Sequence, residues 1–267
     1  MKKLLLTTLL VTALAGCSSA KTSSASASGD HLARIQSAGK ITIATEGVWS
    51  PFTYHDETTD ELVGFDVEVA KAVADKIGVE AEFKEVNFDG GLTGVAQGTF
   101  DMMANGVDIT EERAHSYDFT EPYAYDHAVI VTKADNSDIK SFADLKGKTT
   151  ANSTGSTYAE MGENNGATVT NVDTLGETMD LVLNGTVEAT INANTSIQDY
   201  FNTTGNSDKL KVAATDEETT KYAFPLKKGS DNDSLREAIN KAIDELRSEG
   251  KLSEISAKYF GADITTE

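Results

Sequence analysis

The chain has 267 residues, with 43 acidic against 23 basic side chains and a formal net charge of −20. That length suits one large or two modest domains with real cores, and a content of 39% hydrophobic and 25% charged residues is that of a soluble globular protein. The acidic excess argues against a nucleic-acid partner, because phosphate binding needs clustered Lys and Arg. A single cysteine excludes an intramolecular disulfide, CxxC zinc sites and iron–sulfur clusters.

Lys2 and Lys3 precede an apolar run, Leu4 to Ala15, which closes as Leu14-Ala15-Gly16-Cys17. The run is shorter than the roughly 20 residues of a bilayer span and reads as a secretory signal. Small residues just before a cysteine resemble the lipobox of bacterial lipoproteins, where the cysteine is lipid-modified and becomes the new N-terminus. An ordinary signal peptide with an incidental cysteine is the alternative. Loss of residues 1–16, with their two lysines, leaves 21 basic against 43 acidic side chains, or −22. Such a charge keeps the protein off anionic head groups, so acyl chains on Cys17 must do the tethering to the cell membrane. Residues 17–29, rich in Ser and Ala, read as a flexible tether.

From Asp30 onward β-like and helical runs alternate. Ile41 to Ala44 is strand-like; Gly64 to Ile77 places Phe65, Val69, Ala70, Val73, Ala74 and Ile77 on one helical face. A helix around Leu92 to Gln97 leads to a short strand, Asp101 to Ala104, and Ala128 to Val131 is another apolar run. Ser141 to Asp144 has capping-box spacing, with Asp in place of the usual Glu or Gln. Thr149 to Ala151 and Glu188 to Ile191 are expected as strands, Thr174 to Leu183 and Asn194 to Phe201 as helices, and Lys221 to Pro225 as extended chain. Asp233 to Glu249 is the clearest helix, capped by Asp231 or Asp233, with Leu235, Ala238, Ile239, Ala242, Ile243 and Leu246 as its buried stripe. Gly250 ends it and a last short helix runs from Leu252 to Phe260. The alternation predicts an α/β protein with helices flanking largely parallel sheets.

Catalytic groupings are weak. His31, His55, His115 and His127 have no i, i+4 spacing, and neither a G-x-S-x-G turn nor a phosphate loop occurs. More informative is Asp101 to Arg113, followed by Tyr117 to Tyr123. A strand enters a Gly-containing turn, and Thr110 opens a helical turn whose free N–H groups favour an anion, with Arg113 adding a bidentate fork for a carboxylate. Taken alone, Arg113 fits a surface ion pair better.

The stretch resembles the polar-amino-acid branch of bacterial extracellular solute-binding proteins. Gly64-Phe65-Asp66 with Ala70, Val73 and Ala74 matches that family's first motif. Asp101 with Ile109-Thr110 and Arg113, then Phe119-Thr120-Glu121-Pro122-Tyr123, Asp144-Leu145-Lys146-Gly147-Lys148 and Lys258-Tyr259-Phe260-Gly261 follow in family order and spacing. The resemblance spans about Lys40 to Gly261. It implies a periplasmic-binding-protein-like α/β fold: two α/β lobes joined by two hinge strands, with a ligand cleft between. Lobe 1 would be residues 30–124 plus 222–267, lobe 2 residues 125–221, and the hinges would lie near Tyr123 to His127 and Thr219 to Phe224.

By that resemblance Arg113 grips the ligand α-carboxylate, and Asn105-Gly106-Val107-Asp108 offers backbone groups to the ligand, Gly106 allowing close approach. A plain turn fits Gly106 as well. Trp49 would lie over the ligand and Phe88 would form the facing wall, while Phe52 is assigned to the core. Glu46 matches a position that contacts the ligand side chain in some relatives, and facing water fits it equally. Ser153, Ser156 and Thr157, in a Ser/Thr/Gly loop, would meet the α-carboxylate from the other lobe; a simple N-cap is the bland reading. Where many relatives carry an aspartate for the α-ammonium, this chain reads Asn192-Ala193-Asn194, with Ala193 on the acid and Asn192 expected among the ligand-binding residues. A buried ammonium needs a counter-charge, so Asp108 is expected to supply it and Glu46 is the fallback. The resemblance calls for no cofactor, no metal and no catalytic residue. It implies an extracytoplasmic, lipid-anchored and monomeric receptor that delivers a polar amino acid, with cystine or a glutamine-like residue as candidates, to a membrane ABC permease. A sensory module of the same fold and a cyclic-acid dehydratase are the alternatives.

Overall fold

The structure, a computed structural model, describes residues 30–267. The signal segment, Cys17 and the Ser/Ala tether lie outside them. Helix α1 (His31–Ala38) starts under the side chain of Asp30, which accepts the Ala33 amide at 3.0 Å, and leads into β1 (Lys40–Thr45). A small meander of β2 (Val48–Trp49), β3 (Thr53–His55) and β4 (Leu62–Val63) follows, then α2 (Phe65–Ile77), β5 (Glu80–Glu85), α3 (Phe88–Gln97) and β6 (Met102–Met103). Next come α4 (Glu111–Ser116), β7 (Tyr117–Phe119), β8 (Ala124–Lys133), β9 (Thr149–Asn152), α5 (Thr157–Asn164), β10 (Thr168–Asn171) and α6 (Leu175–Asn184). The chain finishes with β11 (Ala189–Ala193), α7 (Asn194–Thr204), β12 (Leu210–Tyr222), β13 (Pro225–Lys227), α8 (Asp233–Ser248) and α9 (Lys251–Phe260).

The strands form two five-stranded sheets, β5-β1-β6-β13-β7 and β10-β9-β11-β8-β12. Each has a parallel half, β5-β1-β6 and β10-β9-β11, and an antiparallel half, so the expectation of largely parallel sheets holds only for the βα-wound portions. The reason is topological. The chain enters the second sheet on β8 and leaves it on β12, and two neighbouring strands that enter and leave through one side must run in opposite directions.

Alternating side chains give each sheet two apolar faces. Ile41 and Ile43 pack with Val69, Val73, Leu235, Ile239 and Ile243 of α2 and α8, while Ala44 and Met103 meet Phe88, Leu92 and Val95 of α3 on the other side. In the second sheet Val129 and Val131 face Met179, Val182 and Ile197 of α6 and α7, whereas Ala128, Ile130 and Ile191 turn toward Leu145 and the α5 side chains Tyr158 and Met161.

The apolar stripes expected for α2 and α8 are the buried ones, although Ala238 is only partly covered. The expected caps of α8 are not. Asn232 is its N-cap with no side-chain bond to the helix, Asp231 pairs with Arg34 at 2.6 Å, and Asp233 lies in the first turn paired with Arg236. A 3-10 turn just before α8 hands the chain on, which removes the extended entry a side-chain cap needs. Ser141 to Asp144 opens a 3-10 turn rather than an α-helix, with the Asp144 carboxylate accepting the Lys140 amide and the Ser141 hydroxyl.

The Gly64-Phe65-Asp66 and Lys258-Tyr259-Phe260 motifs meet in space. Gly64 has φ +134, and a Cβ there would lie 2.8 Å from the Thr53 amide nitrogen, so only glycine lets α2 start against β3. Phe260 packs on Phe52 and Phe65 with ring centroids 5.2 and 5.0 Å away, and the Tyr259 hydroxyl accepts the Gly64 amide while donating to Glu68.

Candidate functional site

The two sheets bring the C-terminal ends of β1, β6, β9, β10 and β11 to one crevice, the position at which open α/β sheets bind ligands. It is lined by Glu46, Trp49, Phe88, Asn105, Gly106 and Asp108 from one side and by Asn152, Ser153, Ser156, Thr157 and Asn192 from the other. Ten of the eleven ligand-binding residues read from the sequence are therefore on its wall. The exception is Arg113, which lies behind Asp108.

Arg113 is 6% exposed. Its Nη1 donates to the carboxylate and main-chain oxygen of Asp108, its Nη2 donates to the Gly155 carbonyl at 3.0 Å, and its guanidinium lies 5.3 Å from the centre of the Phe88 ring. Phe88 thus has a cationic neighbour on its face as well as a place on the crevice wall. Thr110 caps α4 as expected, its hydroxyl accepting the Arg113 amide at 3.1 Å.

Asp66 explains the turn that precedes Arg113. It is fully buried, and one carboxylate oxygen accepts both the Gly106 amide and the Tyr123 hydroxyl, the latter at 2.9 Å. Burial pushes its carboxyl up to about 7 against the pull of those two bonds. The Gly106 N–H is accordingly occupied inside the protein. The space beside Gly106 is also filled: at φ +53, a Cβ would lie 2.7 Å from Cη2 of Trp49. Glycine here makes room for the indole, which stacks on Phe52 with centroids 4.3 Å apart, rather than for an incoming molecule. Phe52 is fully buried, as its assignment to the core requires.

Glu46 accepts the Asn105 side-chain amide at 2.7 Å while its own N–H donates to Asn105 Oδ1 at 2.8 Å. Burial raises its carboxyl to about 7, with the Asn105 side-chain bond and the Phe88 amide opposing and the charge of Asp173 adding to the rise. On the opposite wall Ser156 is the N-cap of α5, accepting the Ala159 amide at 3.1 Å and donating to the Ser153 carbonyl at 2.8 Å. Asn192 accepts the Ala193 amide. Ala193 is buried and carries no polar group, and the nearby acid Asp126 instead holds the start of α7 through the Thr195 amide and hydroxyl.

Several wall residues were not legible from sequence motifs: Val48, Asn152, Tyr158, Asp173, Leu175 and Thr178. Asn152 and Asp173 stand at or just beyond the ends of β9 and β10, and strand-end position in a βα-wound sheet is the signal that would have found them. The two sides also touch directly. Besides Arg113 to Gly155, the Ser50 hydroxyl donates to Asp199 at 2.8 Å and the hydroxyls of Tyr158 and Tyr222 are 3.0 Å apart.

Residues 41–262 match the bacterial extracellular solute-binding proteins, family 3. The chain belongs to that family. This solute-binding protein is 39% identical to the L-cystine-binding protein TcyA of Bacillus subtilis over 99% of its own length and all of TcyA. An ancestral arginine-binding protein bound to arginine superposes with a TM-score of 0.76 at 35% identity, covering 84% of this chain and 99% of that one. The L-cystine solute receptor of Neisseria gonorrhoeae, in its unliganded open conformation, gives 0.59 at 37% identity, covering 90% and 100%. The better match to a ligand-bound relative, despite the lower identity, accords with lobes that touch across the crevice. Among the described residues of this solute-binding protein no helix is long and apolar enough to cross a membrane.

Proposed function

We propose that the protein is the receptor of an ABC importer and captures a polar amino acid between its lobes. The observation that carries this reading is a crevice walled by Trp49 and Phe88, with a buried arginine directly behind an aspartate on its wall. Such a wall meets both charges of a zwitterion. The ligand α-carboxylate takes the place of the Asp108 carboxylate on Arg113, and Asp108 turns to the α-ammonium, filling the role for which Ala193 offers no group. Trp49 covers the ligand, and main-chain and hydroxyl groups of Ser153, Ser156 and Thr157 contribute from the second lobe. Family membership and the named functions of TcyA and the gonococcal receptor support the choice of an amino acid.

In this reading lobe 1 is residues 30–124 plus 222–267 and lobe 2 is 125–221, the chain crossing near Tyr123 to His127 and Thr219 to Phe224. Pairing of β8 with β12 at Ala124 and Tyr222, and the stacking of Tyr123 on Phe224 at 4.4 Å, support a hinge there. Ligand bridges the lobes and shifts the population to the closed form, which the membrane permease reads. The ligand leaves unaltered. The monomer acts outside the cytoplasm, held to the membrane by lipid on Cys17.

A thermal-shift screen of the purified protein against all amino acids and cystine tests the reading. A ligand at 100 times its Kd adds about 2.7 kcal/mol of stability. If none moves the melt, the amino-acid reading falls; if mass analysis after incubation finds a changed product, the protein is an enzyme instead.

A further inference from the structure

Ser50 lies in the turn between β2 and β3, directly after the crevice residue Trp49, and its hydroxyl donates to the Asp199 carboxylate at 2.8 Å. The turn is anchored to the first sheet, because Phe52 is buried with Ile41 and Ile43 of β1. Asp199 belongs to α7, which is anchored to the second sheet through Ile197, buried with Val129 and Val131 of β8. The bond therefore joins two bodies with separate cores. The Asp199 charge also reaches Tyr54 of β3, whose phenol pKa is raised by burial first and by that charge second, so the carboxylate faces the meander.

Neither Ser50 nor Asp199 is on the crevice wall. A residue that touches no ligand still sets affinity when its contact exists only with the lobes shut, because the apparent Kd is the intrinsic one divided by the fraction of protein in the competent form. A second seam crosses the crevice where Arg113 donates to the Gly155 carbonyl at 3.0 Å, and where a Cβ on Gly155 would lie 3.3 Å from Asp89 Oδ1. That seam uses the arginine proposed to hold the ligand carboxylate, so a bound ligand takes part in it. The Ser50–Asp199 bond is made off the wall and is the same for every ligand. Its acceptor is ionised, which strengthens it; both partners are half-buried, which lets water compete for it.

We propose that Ser50 and Asp199 latch the closed form: they are positioning residues that slow the release of any bound amino acid without touching it. This rests on the amino-acid receptor reading and adds to it the side chains that hold the lobes together. A ligand that bridges two lobes enters before they meet, so the latch forms after association. It therefore acts on the dissociation rate, and it leaves the association rate and the order of ligand preference as they are.

Stopped-flow binding of L-cystine, L-arginine, L-lysine and L-glutamine to the purified protein, S50A, D199A, D199N and S50A/D199A decides it. Trp49, the one tryptophan of the chain, supplies the fluorescence signal. S50A and D199A are each expected to raise the dissociation rate, and with it the Kd, by about three- to tenfold. The factor should be common to every amino acid that binds, with association unchanged. D199N keeps an acceptor oxygen for Ser50 and should lose less, and the double variant should lose no more than either single one. A residue that merely supports the fold would give neither the split between rates nor the rescue. Ser50 adjoins Trp49, so D199A keeps the test alive if S50A does not fold. Dissociation unchanged in D199A, a slowed association that accounts for the loss, or full addition in the double variant overturns the latch and leaves the receptor reading standing. Factors that differ between amino acids overturn it too, since they put Asp199 among the ligand contacts. Binding of no amino acid at all overturns both.

Discussion

The Nη2 of Arg113 donates to the carbonyl oxygen of Gly155 across the crevice at 3.0 Å, so one side chain joins the two sheets and stands behind the proposed ligand site. Removing it takes away both the carboxylate partner and a contact between lobes. R113A is expected to weaken amino-acid binding by about 2–5 kcal/mol, read by calorimetry. Affinity equal to that of the unaltered protein would refute the placement of the α-carboxylate.

Asp108 shares that guanidinium. Asn in its place leaves Arg113 buried without its counter-charge and deprives the ligand ammonium of its partner. D108N should bind ligand less tightly by several kcal/mol and unfold at lower temperature without ligand, because breaking a buried pair costs about 3–5 kcal/mol. A melt unchanged from the unaltered protein would show that the pair contributes nothing to the ligand-free fold.

At Gly106 an added methyl meets the edge of Trp49 and must adopt φ +53. G106A is expected to destabilise by about 1–3 kcal/mol, lowering the melting temperature by several degrees in a chain of this size. Displacement of the indole should also weaken ligand binding. A variant that melts and binds normally would mean that the indole moves aside freely.

Glu46 is held up to about 7 by burial, against an ordinary 4.5. Between those values the native protein holds a proton that the unfolded chain has released. The stability contributed by protonated Glu46 is therefore fully present below pH ~4.5 and is lost as pH rises through about 7. Ligand-free E46Q should lose less stability than the unaltered protein between pH 5 and pH 7.5, by on the order of 3 kcal/mol at most. Denaturant titrations at the two pH values check it, and parallel curves would remove Glu46 as the cause. Asp66 titrates in the same sense and contributes in both proteins.

His31 links α1 to the rest of the first lobe, with Nε2 on Asp101 at 2.7 Å and Nδ1 on Asn232. Asn232 Nδ2 donates to the Lys227 carbonyl, which points its Oδ1 at the ring, so both nitrogens face acceptors and the imidazolium is favoured; the Asp101 bond is the main reason its pKa is raised. The gain is fully present below the ordinary pKa near 6.5 and disappears as pH rises through the higher folded value. H31Q should therefore remove part of the stability lost on going from pH 6 to pH 8, and hydrogen exchange in α1 should show the loss locally.

Much of the fold was legible because burial imposes a period. The stripe from Leu235 to Leu246 and the face from Phe65 to Ile77 are read from spacing alone, and the ordered motifs from Gly64 to Gly261 carried the family. Less periodic elements escaped. β5, Glu-Ala-Glu-Phe-Lys-Glu, is an edge strand whose alternation is masked by charge, and β12 derives its length from pairing with β8 rather than from its own apolar content. The run from Ser153 to Thr157 reads as a loop at a helix start, and Ser156 is the cap of that helix.

Amino-acid order alone determined which positions are apolar, which turns need glycine and which motifs recur, since these depend on neighbours a few residues apart. The contacts that shape the crevice depend on pairs tens of residues apart: Asp66 with Gly106, Gly106 with Trp49, Arg113 with Gly155, and Asn152 held by Ile191 with one oxygen unpartnered. Only the three-dimensional packing of the two sheets decides those, because a hydrogen bond needs atoms brought within about 3 Å in the right direction, and no local pattern encodes where a distant strand will end.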